Sequence, residues 1–198
     1  MFKFFKKQQP TKAERLETLI NKQTNFCVNA VEMHPTLIAW APDKSRAIFE
    51  SFVFHNWFSF YMITRHICAS LPATASTNEI GSIKDDISNR IISSARSRGI
   101  PLLKQKYSIN TDNYCDKNFS KYASMSFRDY NNSVNSHQCP DWASASIKLA
   151  GDSEIPGLAD FSNLEETGAR IATLQKEVLA IFMVEKLIKA DVYDYLNL

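Results

Sequence analysis

Between Lys44 and Ser70 the chain carries Phe49, Phe52, Phe54, Trp57, Phe58, Phe60 and Tyr61, in a window with no glycine and no proline. Projected at 3.6 residues per turn, these aromatics surround a helix on every side. Such a helix has to be enclosed, by other protein or by lipid. Lipid is the poorer fit. Glu50 and Arg65 lie in the apolar stretch with His55, Asn56 and His66, and a charge at a bilayer centre costs roughly 2.5–3.5 kcal/mol on insertion scales. The charge-free part, Ser51 to Thr64, also falls short of the roughly 20 residues needed to span a bilayer. The segment is therefore expected to be the buried centre of a helical protein.

The rest of the chain supplies helices to cover it. Thr11 to Glu14 forms a capping box after Pro10, and Leu16, Leu19, Ile20, Gln23, Cys27, Ala30 and Val31 share one helical face that ends before His34-Pro35. Asp43 can cap the aromatic helix, after a linker through Trp40 and Pro42. A third helix is predicted from Thr77 or Asn78, striped by Ile80, Ile83, Ile87 and Ile91, with Gly99 as a left-handed cap and Pro101 as its stop. A weaker helix follows Thr111-Asp112, and a short one runs from Asp141 to Ala150. After a loop from Gly151 to Asn163, a capping box at Ser162–Glu165 opens a single helix running to about Ala190 or beyond. Its stripe is Ile171, Leu174, Val178, Ile181, Ile188 and Val192. No segment alternates with period two, and five glycines are few for the turns of a strand-rich fold. The expected architecture is all-α: a single-domain bundle of about six helices over residues 11–198, behind a basic, aromatic segment at residues 1–10.

Most chemistries lack their signatures. No Gly-x-Gly or P-loop pattern exists to cradle phosphate. His55 and His66 fall nearly in phase on one helix, but about 16 Å of axial rise separates them, too far for one metal with bonds of about 2 Å. His137 and Cys139 could ligate zinc only with a distant third residue such as Cys115, so no metal and no cofactor is expected. No Gly-x-Ser-x-Gly elbow appears, and pairing Cys27 or Cys68 with a histidine would rest on spatial coincidence alone. If the chain were an enzyme or held a cofactor, the residues to carry it would be His55, His66 and Glu185 around the aromatic helix. Glu185 continues the Ile181–Ile188 stripe and, if buried, would need Arg65, His55 or His66 as partner.

Two surface features remain. Arg96, Arg98, Lys104 and Lys106, beside Tyr107, form the densest positive patch, suited to phosphates or to an acidic protein face. A formal net charge of +2 is too small to imply nucleic-acid binding by itself, so nucleic acid is not the expected partner. Phe2, Phe4 and Phe5 alternate with Lys3, Lys6 and Lys7, a mixture able to rest weakly on an anionic membrane. Residues 1–7 hold no apolar run of signal-peptide length, and the four cysteines form no C-x-x-C pair. The expectation is a cytoplasmic, non-catalytic interaction protein of bacterial or phage type, immunity- or regulator-like, that binds an unidentified protein partner. The alternatives are the His/Glu-lined helical enzyme, a weak phosphate or membrane-surface binder, and a homodimer built on a leftover apolar face.

Overall fold

The structure is a computed structural model and describes residues 9–110, 164–179 and 182–196. Those residues form an all-α bundle: α1 (Lys12–Ala30), a 3-10 turn (Val31–Met33), α2 (Pro35–Trp40), α3 (Lys44–Ala69), α4 (Thr77–Ser94), a π-helical turn (Ala95–Gly99), α5 (Ile100–Tyr107), α6 (Leu164–Leu179) and α7 (Phe182–Leu196). No strand occurs among the described residues, and no described helix is long and apolar enough to cross a membrane.

Local chemistry sets the starts. Glu14 N–H donates to Thr11 Oγ1 at 3.2 Å while Thr11 N–H donates to Glu14 Oε2 at 2.7 Å, closing the capping box of α1. Asp43 accepts from Arg46 N–H at 3.0 Å at the start of α3, and Ser76 from Glu79 N–H at 3.2 Å at the start of α4. The apolar face expected for α1 is buried throughout, from Leu16 to Val31.

α3 is the centre. Every residue from Ala47 to Asn56 and from Phe58 to Thr64 is buried, and α1, α2, α4 and α7 all pack on it. Phe49, Phe52, Phe58 and Phe60 are fully enclosed, each worth on the order of 1.5–3 kcal/mol relative to exposure. α7 runs antiparallel to α1, with Asp191 accepting from Lys22 Nζ and from Gln23 Nε2 and with Arg15 6.0 Å from the centre of the Tyr195 ring. α4, the π turn and α5 form one rod running the same way as α1. Asn21, Asn25 and Asn29, one turn apart, accept in sequence from Ser94 Oγ (2.9 Å), Arg98 Nε (2.8 Å) and Lys106 Nζ (2.8 Å).

Four expectations are corrected. Gly99 is no left-handed cap: its φ is −64° and the helix passes through it. It is glycine because a Cβ there would sit 2.5 Å from Phe52 Cζ and 3.0 Å from Thr24 Cγ2, so close approach to α3 and α1 demands the missing side chain. Pro101 does not stop the helix but lies in the first turn of α5. An interior proline clashes with the carbonyl four residues back, and the wide π turn just before it opens the backbone there. The single C-terminal helix is two, α6 and α7, because different neighbours claim them: α6 serves α2, whereas α7 lies on α1 and α3. The supposed linker before Pro42 also holds the short helix α2, nucleated by Pro35 in its first turn. The predicted helices at 111–132 and 141–150, and the 151–163 loop, lie outside the described residues.

Candidate functional site

Among the described residues, two buried histidines meet inside the bundle. Pro35 restricts the residue before it to non-helical geometry, and His34 accordingly breaks the chain at φ −118°, ψ 52°, at the N-cap of α2. This turns its ring inward onto the middle of α3. His34 Nε2 lies 2.9 Å from His55 Nε2, with ring centroids 4.9 Å apart. The two residues are 1% and 0% exposed. Phe54 meets both rings edge-on, and Phe26 of α1 meets His55 in the same way at 6.4 Å between centroids.

Two nitrogens at that distance share one proton, so one Nε2 donates and the other accepts. The aromatic surroundings enforce neutrality. Burial pushes His34 down to about 4. His55 is held well below its ordinary value, first by burial and then by the charge His34 would carry. The Ala30 carbonyl opposes this, although its approach falls short of a hydrogen bond to His55 Nδ1. The pair has no outlet to solvent as a general base. As a metal site it is also a poor fit, because bonds of about 2 Å to one ion would hold the nitrogens roughly 3.3–4 Å apart. No group of three His, Cys, Asp or Glu suited to a metal occurs among the described residues.

The pair is braced from α6. Glu177 accepts from Thr36 N–H at 2.9 Å and from Leu37 N–H at 3.4 Å, placing its carboxylate on the positive end of α2. Arg170 of the same helix lies 5.6 Å from the centre of the Trp40 ring, at the other end of α2. The helix that carries His34 is thus gripped at both ends.

The residues considered for an enzyme do not gather here. His55 pairs with His34, whereas His66 sits in the last turn of α3 with its ring 6.1 Å from that of Tyr193 on α7. Arg65 is exposed and lies over Tyr61. Glu185 belongs to α7, but its side chain lies outside the described residues, as do His137, Cys115 and Cys139. Cys27 and Cys68 are free thiols. Burial pushes the Cys27 thiol up to about 12, with Ser59 Oγ 3.4 Å away, so it is a small core residue and not a nucleophile.

The cations of the basic patch are partly committed to other contacts. Arg98 is held by Asn25, Lys106 by Asn29 and Glu32, and the Tyr107 hydroxyl donates to the Val28 carbonyl at 3.1 Å. These contacts pin α5 to α1. Arg96, on the π turn, is exposed. From Ile87 to Asn110 the chain carries Arg90, Arg96, Arg98, Lys104 and Lys106 and no carboxylate. Of these, Arg98 and Lys106 line a groove of about 650 Å³ with Asn25, Asn29, Leu102 and Gln105, whereas Arg90 is paired with Asp86. Residues 1–8, with the Phe/Lys alternation, lie outside the described residues.

Comparison with known protein families, with curated proteins and with solved structures finds no match for this chain.

Proposed function

We propose that this chain is a non-catalytic interaction protein of the cytoplasm, immunity- or regulator-like, that docks an acidic protein surface onto its α4–α5 face. The observation that carries the reading is the stretch from Ile87 to Asn110, cationic and free of carboxylate in a chain of net charge +2. Complementary charge raises encounter rates and rejects wrong partners. The π turn in the middle of this face adds support, since such turns are frequent at functional sites. A protein is favoured over nucleic acid because Arg98 and Lys106 already spend hydrogen bonds on α1, leaving few cations to track a phosphate backbone. Of the residues an enzyme reading would use, His55 is committed to the buried pair with His34 and His66 lies apart from it beside Tyr193.

The test is crosslinking in the native cells, with wild type and an Arg96→Glu/Arg98→Glu variant. The expected result is a partner whose crosslinks map to residues 90–107, lost in the variant and weakened by raising the salt. Crosslinks elsewhere, an unchanged set in the variant, or capture of nucleic acid in place of protein would overturn it.

A further inference from the structure

In the groove between α1 and α5, Arg98, Leu102 and Lys106 follow one another at four-residue spacing, and Asn25, Val28 and Asn29 line it from α1. Its two cations are not equivalent. Lys106 already has a carboxylate, with Glu32 Oε1 2.8 Å from its Nζ. Arg98 has none among the described residues. Its Nε donates to Asn25 Oδ1 at 2.8 Å, which fixes the guanidinium and leaves Nη1 and Nη2 without a partner among those residues. Asn25 spends its oxygen on this bond, so its amide nitrogen is a further donor. We infer that the groove seats one carboxylate of the protein partner on Arg98, with an apolar side chain one turn further along the same partner helix lying against Leu102 and Val28.

The inference rests on the α4–α5 face being a docking surface for an acidic protein, and it names what that surface reads. A carboxylate suits Arg98 because its two oxygens lie in one plane, matched by the paired Nη donors of a guanidinium. With Asn25 already holding the side chain, less conformational entropy is lost when the pair forms. Phosphate and nucleic acid are poorer occupants. Arg98 alone of the lining cations lacks a carboxylate among the described residues, whereas a phosphate backbone calls for several cations. The apolar contact follows from Leu102, which is only partly buried, next to the buried Val28. A helix is the form of chain that matches. Arg98 and Leu102 are separated by about 6 Å of axial rise, and residues four apart on one face of a partner helix repeat that distance. Laying an amphipathic helix into a groove is a recurring mode of recognition.

The test uses the full chain, isotope-labelled for NMR, and two capped, alanine-based helical peptides of one composition. In the first, Glu and Leu stand four residues apart; in the second they stand two apart, on different faces. The first peptide should shift the Arg98 Nε–H and Asn25 amide signals and bind roughly tenfold tighter than the second. Arg98→Lys, which keeps the charge, should weaken it by roughly tenfold. Asn25→Ala, which removes only the brace, should weaken it by about threefold. Both sites are at the surface of the bundle, so neither change empties the core. Equal binding of the two peptides, full affinity in Arg98→Lys, or no binding at millimolar peptide would overturn the inference. So would displacement of the peptide by inorganic phosphate more readily than by acetate. Crosslinking in the native cells judges the docking face separately. A partner mapped to residues 90–107 with equal binding of both peptides removes the groove's selectivity alone. The expected peptide result without such a partner removes the docking face and leaves the groove's chemistry standing.

Discussion

Acid should weaken this fold earlier than its carboxylates alone would require, and the histidine pair sets the amount. His34 titrates near 6.5 in an unfolded chain and at about 4 in the folded one. Between those values the unfolded state binds more protons, so stability rises with pH across the window and is lost as pH falls through it. At about 1.4 kcal/mol per pH unit, the loss reaches about 3 kcal/mol by pH 4. His55 is depressed in the same direction. Both rings take up protons in the unfolded chain, while a proton on one opposes a second in the folded pair. The loss from His55 therefore adds to that of His34, and about 3 kcal/mol is the lower bound for the pair. The assay is urea denaturation followed by far-ultraviolet circular dichroism at several pH values between 7 and 4. It compares wild type with His34→Leu/His55→Leu, which removes donor and acceptor together and so leaves no orphaned group. Other titrating groups are common to both proteins and cancel. With a urea slope near 2 kcal/mol/M, the wild-type midpoint should fall by about 1.5 M or more beyond that of the variant. Parallel curves for the two proteins would refute the reasoning, because the pair would then be open to water or already charged.

Other substitutions probe the packing. Gly99→Ala should cost about 1–3 kcal/mol by driving a methyl into Phe52, a loss of roughly 2–10 °C in Tm, and Phe52→Leu in the same chain should recover part of it. Glu177→Ala should cost about 1–2 kcal/mol and speed amide exchange at Thr36 and Leu37, whereas Glu177→Gln, still an acceptor, should cost less. In the native protein at pH 8, iodoacetamide should modify Cys68 well before Cys27, as peptide mapping would show, since Cys27 is fully buried and its thiol is pushed up to about 12.

Much of the fold is legible in the sequence because its signals are local. Capping residues at Thr11 and Asp43, and the period of Leu16–Val31, place α1 and the start of α3 without tertiary information. Gly99 and Pro101 mislead for a physical reason. The sequence carries a stop signal there, but contact with Phe52 and a π turn give both residues another use. The break between α6 and α7 is illegible, since the apolar stripe runs on across it and only the competing demands of α2 and of α1 with α3 divide it. The histidine pair escapes because its members are 21 positions apart on different elements. His34-Pro35 reads as a helix stop, and nothing in the spacing announces that the stop aims a ring at His55. Glu177 is hidden likewise, as a lone acidic residue on a helical surface whose amide partners lie 141 and 140 positions away.

The central claim is that α3 is enclosed packing and not the wall of a reaction chamber. Residue-resolved amide exchange along Phe52–Thr64 tests it most directly. These amides should be the slowest in the molecule and should exchange only through global unfolding, with a free energy equal to that from urea denaturation. Exchange around His55–Ser59 at a free energy several kcal/mol below the global value would contradict it, because water would then be reaching the centre of the bundle.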